Sequence, residues 1–112
     1  MDPTTGRGAT FKMRESHAGD WLRLSLTGDL DIASAPALER RLAQLRATRS
    51  RVRLDLSKLD FIDSTGIHLL VRTFGDARLK HWELHIDRDV SPKVMRLFKL
   101  VRLDHFLLDG EA

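Results

Sequence analysis

The chain has 112 residues, of which 42% are hydrophobic and 31% charged, with a formal net charge of +3 and no cysteine. This length supports one domain with a single core, and the lack of cysteine excludes disulfides, thiolate metal sites and a cysteine nucleophile. No apolar run approaches the ~20 residues that a membrane-spanning helix needs. Residues 1–9 lack the apolar stretch of a secretory signal, so we expect a flexible tail over 1–9, a folded domain over 10–112 and a cytoplasmic protein.

Three segments alternate apolar and polar side chains, the period of a strand with one buried face. They cover residues 22–26, 52–56 and 82–86. A shorter strand around 11–13 is predicted to form a hairpin with 21–27 through a turn at 16–20. The last apolar residues, 105–108, fit an edge strand or the start of a last helix, and we favour the strand.

Apolar residues at helical spacing predict three amphipathic helices between and after these strands. One contains residues 38–45, the second contains 67–74, and the third contains 94–101. The order β-β-α-β-α-β-α-(β) requires crossovers, so it predicts an α/β fold with a small mixed sheet of four to five strands and three to four helices. Strict alternation in the strands indicates that the helices cover mainly one face of the sheet.

Polar side chains with useful chemistry are densest between the third strand and the second helix. Asp60 and Asp63 precede the two hydroxyl residues Ser64 and Thr65. Such strand-to-helix loops commonly bind ligands or partners in α/β sheets, and the positive end of a helix tolerates an added phosphate. The alternative interpretation of Asp63 and Ser64 is ordinary helix capping.

Two glycines mark further points of interest near this loop. Gly66 lies in the first turn of the predicted helix, where it costs about 1 kcal/mol relative to alanine, so something is expected to approach the backbone there. Gly28 opens an acidic segment, 28–31, that is interpreted either as a turn or as part of one acidic face with Asp63 and Ser64. On the second interpretation, charge reversal at Asp29 lowers partner affinity and leaves the melting temperature nearly unchanged.

Several short segments of the sequence form a recognisable set. The most specific is the run Phe-Ile-Asp-Ser-Thr-Gly at 61–66. Supporting segments are Gly-Asp-Leu-Asp at 28–31, Ala-Pro-Ala-Leu at 35–38, Leu-Asp-Leu-Ser at 54–57, Ser-Pro at 91–92 and Leu-Phe-Lys-Leu at 97–100. Taken together, these segments resemble the STAS domain of bacterial anti-sigma factor antagonists over residues 10–109.

The resemblance implies a partner-switching cycle. In that cycle the unphosphorylated antagonist binds an anti-sigma factor that is also a serine kinase, and so frees the sigma factor. The kinase phosphorylates the antagonist at the residue that matches Ser64, with Thr65 as the fallback, and a serine phosphatase resets it. The partner-binding residues implied are Asp29, Asp31, Asp60, Asp63, Ser64, Thr65, Gly66 and His68.

No enzyme activity, cofactor or metal is expected, and a weak homodimer is left open. The alternative within the family is a non-switching STAS subunit of a stress-signalling or lipid-transport complex.

Three other functions fit the residues less well. Asp63, Ser64 and His68 could form a hydrolase triad, but Ser64 lacks the Gly-x-Ser-x-Gly turn of such enzymes. His81 and His85 are too far apart along a strand to hold one metal without a third ligand. Arginines are frequent from 40 to 53, yet no aromatic residue is interleaved for base stacking, so we expect no direct nucleic-acid binding and no membrane binding.

Overall fold

One four-stranded sheet with helices on one side organises the chain. The computed structural model describes residues 10–109, so the predicted tail over 1–9 lies outside the described residues. In chain order the elements are β1 (Lys12–Ala18), β2 (Trp21–Leu30), α1 (Ala35–Ala47), β3 (Arg51–Ile62), α2 (Ser64–Leu79), β4 (Leu84–Ile86), α3 (Pro92–Leu100) and a π-helical turn (His105–Asp109). The sheet order is β1-β2-β3-β4, with β1 antiparallel to β2 and the other pairs parallel. The predicted mixed sheet is confirmed.

The inward face of the sheet and the helices share one hydrophobic core. Leu24 of β2 and Leu54 of β3 are fully buried, and so are Leu38 of α1, Leu70 of α2 and Phe98 of α3. The residues that alternate with the buried strand positions are exposed or half-buried. The helices therefore cover one face of the sheet, as the alternation of the strands predicts.

Two irregularities let β2 and β3 extend further than the alternating pattern indicates. The parallel pairing shifts register between Ser25 and Thr27 and again between Gly28 and Asp29, so that Asp29 pairs with Phe61. Each shift places an extra residue on β3, as a β-bulge does. The buried positions of β3 then fall three residues apart, at Leu56, Leu59 and Ile62. The prediction that the third strand ends near residue 56 and a loop leads from there into α2 was wrong, because these bulges break the period of two while the pairing continues to Ile62.

Three other boundaries differ from the sequence predictions. β1 extends to Ala18 and leaves a two-residue turn, because its whole length pairs with β2 although most of its side chains are exposed. β4 begins at Leu84 rather than 82, since the backbone N–H of Trp82 donates to Ala77 at the end of α2. The predicted edge strand at 105–108 is wrong: this segment is helical and buries Leu107 against the core.

The outward face of the sheet carries paired charges around one aromatic ring. The guanidinium groups of Arg51 and Arg53 each lie 4.5 Å from the centroid of the Trp21 ring. Arg53 also pairs with Asp87 at 3.4 Å. Asp55 accepts hydrogen bonds from the Ser57 backbone and the Ser25 hydroxyl. Burial acts to raise the pKa of Asp55, but these hydrogen bonds and the nearby charge of Arg23 outweigh it and hold the pKa below 3.8.

Asp55 is expected to make the protein more sensitive to acid. Because its pKa is lower in the folded state, its contribution is fully present above the unfolded pKa of about 3.8 and is lost as the pH falls through the folded value. We expect Asp55→Asn to lower the free energy of unfolding by up to about 1 kcal/mol at pH 6. Urea denaturation at pH 6 and pH 2.5 checks this, and a difference that stays constant between the two pH values would contradict it.

Candidate functional site

The polar residues singled out from the sequence gather where β2 and β3 end and α2 begins. The backbone N–H of Asp63, one residue beyond β3, donates to the carbonyl of Leu30, the last residue of β2, at 3.2 Å. Because the two strands are parallel, their carboxyl ends lie at the same edge of the sheet. The segments 28–31 and 60–68 are therefore neighbours, as the interpretation of one shared face requires.

Asp63 caps α2. Its backbone is extended, and its carboxylate accepts a hydrogen bond from the Gly66 N–H at 3.0 Å. The Asp63 carbonyl accepts from the Ile67 N–H, which starts the helical ladder. The capping interpretation of Asp63 is thus confirmed. Capping leaves the next residue, Ser64, at the first position of the helix with an exposed side chain.

Loss of the cap is expected to cost stability. Asp63→Ala removes the acceptor for the Gly66 N–H, and we expect the free energy of unfolding to fall by about 1 kcal/mol. Asp63→Asn keeps an oxygen acceptor at the same place and serves as the control, with a loss of only a few tenths. Thermal and urea denaturation measure both variants, and equal losses would show that the charge of Asp63, rather than its hydrogen bond, stabilises the helix start.

The close approach expected at Gly66 comes from the protein itself. A Cβ atom at this position would lie 2.9 Å from the Leu30 carbonyl oxygen and 2.8 Å from the Ile62 side chain. The glycine thus lets the first turn of α2 pack directly on the ends of β2 and β3. Gly66 is buried, so its contribution to partner binding, if it has one, passes through the position of this turn.

Asp31 organises the turn between β2 and α1. Its carboxylate accepts hydrogen bonds from the backbone N–H groups of Ala33 and Ser34 at 3.0 and 3.2 Å. The Ser34 hydroxyl also lies 2.8 Å from the carbonyl oxygen of Asp29, to which it donates. This network holds the segment 31–34 rigidly beside the start of α2.

The acidic segment 28–31 is not a turn over its whole length. Gly28, Asp29 and Leu30 belong to β2, because the strand continues beyond the second bulge. Gly28 has a φ of +84°, and a Cβ atom there would lie 2.2 Å from the Thr10 carbonyl oxygen, so only glycine lets the N-terminal backbone cross at this point. Asp29 is only 6% exposed. The expectation that its charge reversal leaves the melting temperature unchanged does not fit this burial, because a buried charge is costly.

The predicted partner-binding residues therefore differ in how much of their surface a partner could reach. Asp60, Ser64 and His68 are exposed; Asp31, Asp63 and Thr65 are half-buried; Asp29 and Gly66 are buried. The sequence analysis overlooked two apolar side chains beside them. Ile32, in the turn after β2, is 73% exposed, and Phe61, near the end of β3, is 36% exposed. In the sequence, Ile32 directly follows the acidic segment 28–31 and Phe61 directly follows Asp60. These positions were the signal that could have identified them as site residues.

Comparisons with known proteins identify the family of this chain. The family model described as "Mlab, STAS domain" matches residues 13–109. An anti-sigma-B factor antagonist from Staphylococcus aureus is 34% identical over 86 residues, which cover 76% of this chain and 79% of the relative. This chain belongs to the STAS-domain family of anti-sigma factor antagonists. By their names, relatives from Bacillus subtilis and Staphylococcus aureus act as antagonists of an anti-sigma factor, which is a regulatory role.

Solved structures of STAS proteins have the same fold. An anti-sigma factor antagonist from Mycobacterium paratuberculosis superimposes with a TM-score of 0.73 at 25% identity, covering 85% of this chain and 80% of that one. The Bacillus cell fate determinant SpoIIAA in its phosphorylated form gives a TM-score of 0.63 at 16% identity, covering 84% and 85%. The second likeness is one of fold alone.

Within residues 10–109 of this STAS protein, no helix has the length and apolar character needed to cross a membrane.

Proposed function

We propose that this chain is an anti-sigma factor antagonist regulated by phosphorylation of Ser64. Unphosphorylated, it binds an anti-sigma factor that carries serine kinase activity and thereby frees the sigma factor. Phosphate transfer from ATP to the Ser64 hydroxyl releases it, and a serine phosphatase hydrolyses the phosphoester and restores binding. The cycle takes place in the cytoplasm, where sigma factors act.

The observation that carries this proposal is the position of the Ser64 hydroxyl. Ser64 is exposed and directly follows the cap residue Asp63, so a kinase reaches the side chain without unfolding the helix. Phosphate at the first position of a helix lies beside the positive end of the helix dipole, where negative charge is tolerated. Thr65 is half-buried, which favours Ser64 over Thr65 as the acceptor.

Electrostatics explains how phosphorylation would release the partner. A phosphoserine adds a charge of about −1.5 to −2 at pH 7, next to the carboxylates of Asp63 and Asp60. Repulsion from Asp60 and Asp63 acts in the free protein as well, so release depends on the contact between the phosphate and a negative group of the bound partner. Such a contact at 4 Å costs about 4 kcal/mol at an effective dielectric constant of 20, and half of this weakens binding more than tenfold. No refolding of the domain is needed, because the added charge acts at the contact surface itself.

We further propose that the chain has no catalytic activity of its own. The carboxylate of Asp63 bonds the backbone of α2 rather than an imidazole, so it does not orient His68 as the acid of a triad orients its histidine. Ser64 and His68 are instead two exposed residues on the same helix, a place suited to contact with a partner.

Intact-mass and peptide mass spectrometry of the protein from its native cells tests the proposal. We expect a gain of one phosphate on the peptide that contains Ser64, with an occupancy that changes between growing and stressed cultures. A phosphate on Thr65 instead would move the switch by one residue. Lack of phosphate under all conditions would favour the alternative, a non-switching STAS subunit of a larger complex.

A further inference from the structure

A groove lies between the end of β3 and α3. It is close in the chain to the exposed residues Asp60, Ser64 and His68. It has a volume of about 230 Å³, and its walls include Asp60 and Phe61 on one side and Leu97 and Leu100 on the other. Leu100 is 72% exposed, so its side chain is open to contact from outside the chain. Asp60, Phe61 and Ile62 line the groove and lie two to four residues before Ser64 in the chain, so one partner could cover both surfaces.

Positive charge borders this groove along α3. Lys93, Arg96 and Lys99 recur every three residues, and all three are exposed. Lys93 and Arg96 line the groove. Lys99 lines a second groove, which shares Arg96 and Leu100 with the first. Among the side chains that the structure describes, residues 10–108, no carboxylate lies within 4 Å of the side-chain nitrogens of these three residues. Like charges at this spacing on a helix destabilise it slightly.

The contrast with the other helices makes this charge informative. Arg41 and Arg46 of α1 and Arg72 of α2 are each paired with a carboxylate from another element. Three of the five lysine and arginine side chains on α1 and α2 are thus paired with a carboxylate of another element, whereas those of Lys93, Arg96 and Lys99 on α3 are not. A stripe of uncompensated charge beside an exposed leucine is suited to a ligand that brings both carboxylates and apolar side chains.

We propose that the groove binds an acidic amphipathic segment of the anti-sigma factor. Apolar side chains of that segment enter between Phe61 and Leu100, and its carboxylates face Lys93, Arg96 and Lys99. A concave, apolar groove with a charged border is the usual receptor for an amphipathic helix, whereas a lipid surface needs an exposed face that inserts into it. The identity of the partner rests on the proposed function; the chemistry of the segment rests on the groove.

A labelled model peptide tests the groove directly. The probe is a helical peptide with leucine at i, i+3, i+4 and i+7 and glutamate at the remaining positions, and its control has glutamine in place of glutamate. Fluorescence anisotropy with the full chain is expected to show binding of the glutamate peptide. The double change Lys93→Glu and Arg96→Glu is expected to weaken that binding about tenfold, since two attractions become repulsions. Leu100→Ser is expected to weaken it as well.

A matched variant separates the groove from the overall charge. Lys12→Glu with Arg14→Glu makes the same change of net charge on exposed residues of β1. We expect this double variant to reduce peptide affinity less than about threefold, because only the long-range effect of net charge remains. Equal losses in the two double variants, tight binding of the glutamine peptide, or no binding up to about 1 mM would overturn the proposal.

Other occupants of the groove would overturn it in distinguishable ways. Peptide binding that appears only after residues 1–9 are deleted would assign the groove to that segment. Self-association lost on the Lys93→Glu and Arg96→Glu changes would assign it to a second copy, and binding to phosphatidylglycerol vesicles in place of the peptide would assign it to lipid. Ser64→Asp is expected to reduce peptide affinity less than about threefold, as the β1 charge changes do, so the groove and the phosphorylation switch can fail independently.

Discussion

Ser64→Asp is expected to weaken binding to the anti-sigma factor at least about tenfold, whereas Ser64→Ala keeps the full affinity and can no longer be released by the kinase. Aspartate adds one negative charge to an exposed position beside Asp63 and Asp60. A fraction of the repulsion expected for one like-charge contact suffices for a tenfold effect. The alanine variant removes the phosphate acceptor and leaves the cap of α2, which Asp63 provides, in place.

Isothermal titration calorimetry with the purified anti-sigma factor measures both variants. Ser16→Asp is a matched control, since it adds the same charge to an exposed serine of β1, away from the site; we expect its affinity to stay close to that of the unchanged protein. Thr65→Asp tests the fallback acceptor. If Ser64→Ala and Ser64→Asp bind with the same affinity, the switch is wrong and a static STAS subunit is the better description.

Gly28→Ala is expected to be the most destabilising single change outside the large core side chains. Its φ of +84° costs an alanine about 1–2 kcal/mol. In addition, the new Cβ would lie 2.2 Å from the Thr10 carbonyl oxygen and 2.6 Å from its carbon, so the N-terminal backbone must move. Overpacking of this kind costs typically 1–3 kcal/mol. We expect a total loss of about 3 kcal/mol, which lowers the melting temperature by roughly 10 °C or more.

Two other glycines separate the causes of that loss. Gly19 also has a positive φ, +61°, but nothing lies within 4 Å of its added Cβ, so Gly19→Ala reports the conformational cost alone. Gly75 lies within α2 with open space around it, and Gly75→Ala should stabilise the protein by up to about 1 kcal/mol. If Gly28→Ala lowers the free energy of unfolding no more than Gly19→Ala does, the backbone at Thr10 moves away from the new Cβ at little cost and the prediction is wrong.

Periodicity in the sequence was a sound guide wherever the structure is regular. The strands around Leu24, Leu54 and Ile86 and the helices around Leu38, Leu70 and Phe98 lie where their patterns predict, because one buried face imposes a period of 2 or 3.6 on neighbouring residues. The pattern failed over 57–62, where pairing with β2 continues through two bulges. It also failed at 105–108, where four residues are too few to distinguish a strand from a helical turn.

The sequence by itself determined the capped start of α2 and the hydroxyl that follows it, since capping and helix initiation depend on residues within three or four positions of each other. The burial of Asp29, the packing of Gly66 on Leu30 and the shared groove of Phe61 and Leu100 follow from the three-dimensional packing instead. These relations join residues that are 30 or more positions apart, or depend on the register between two strands. Local patterns carry no information about that register, because it is set by which side chains fill the shared core.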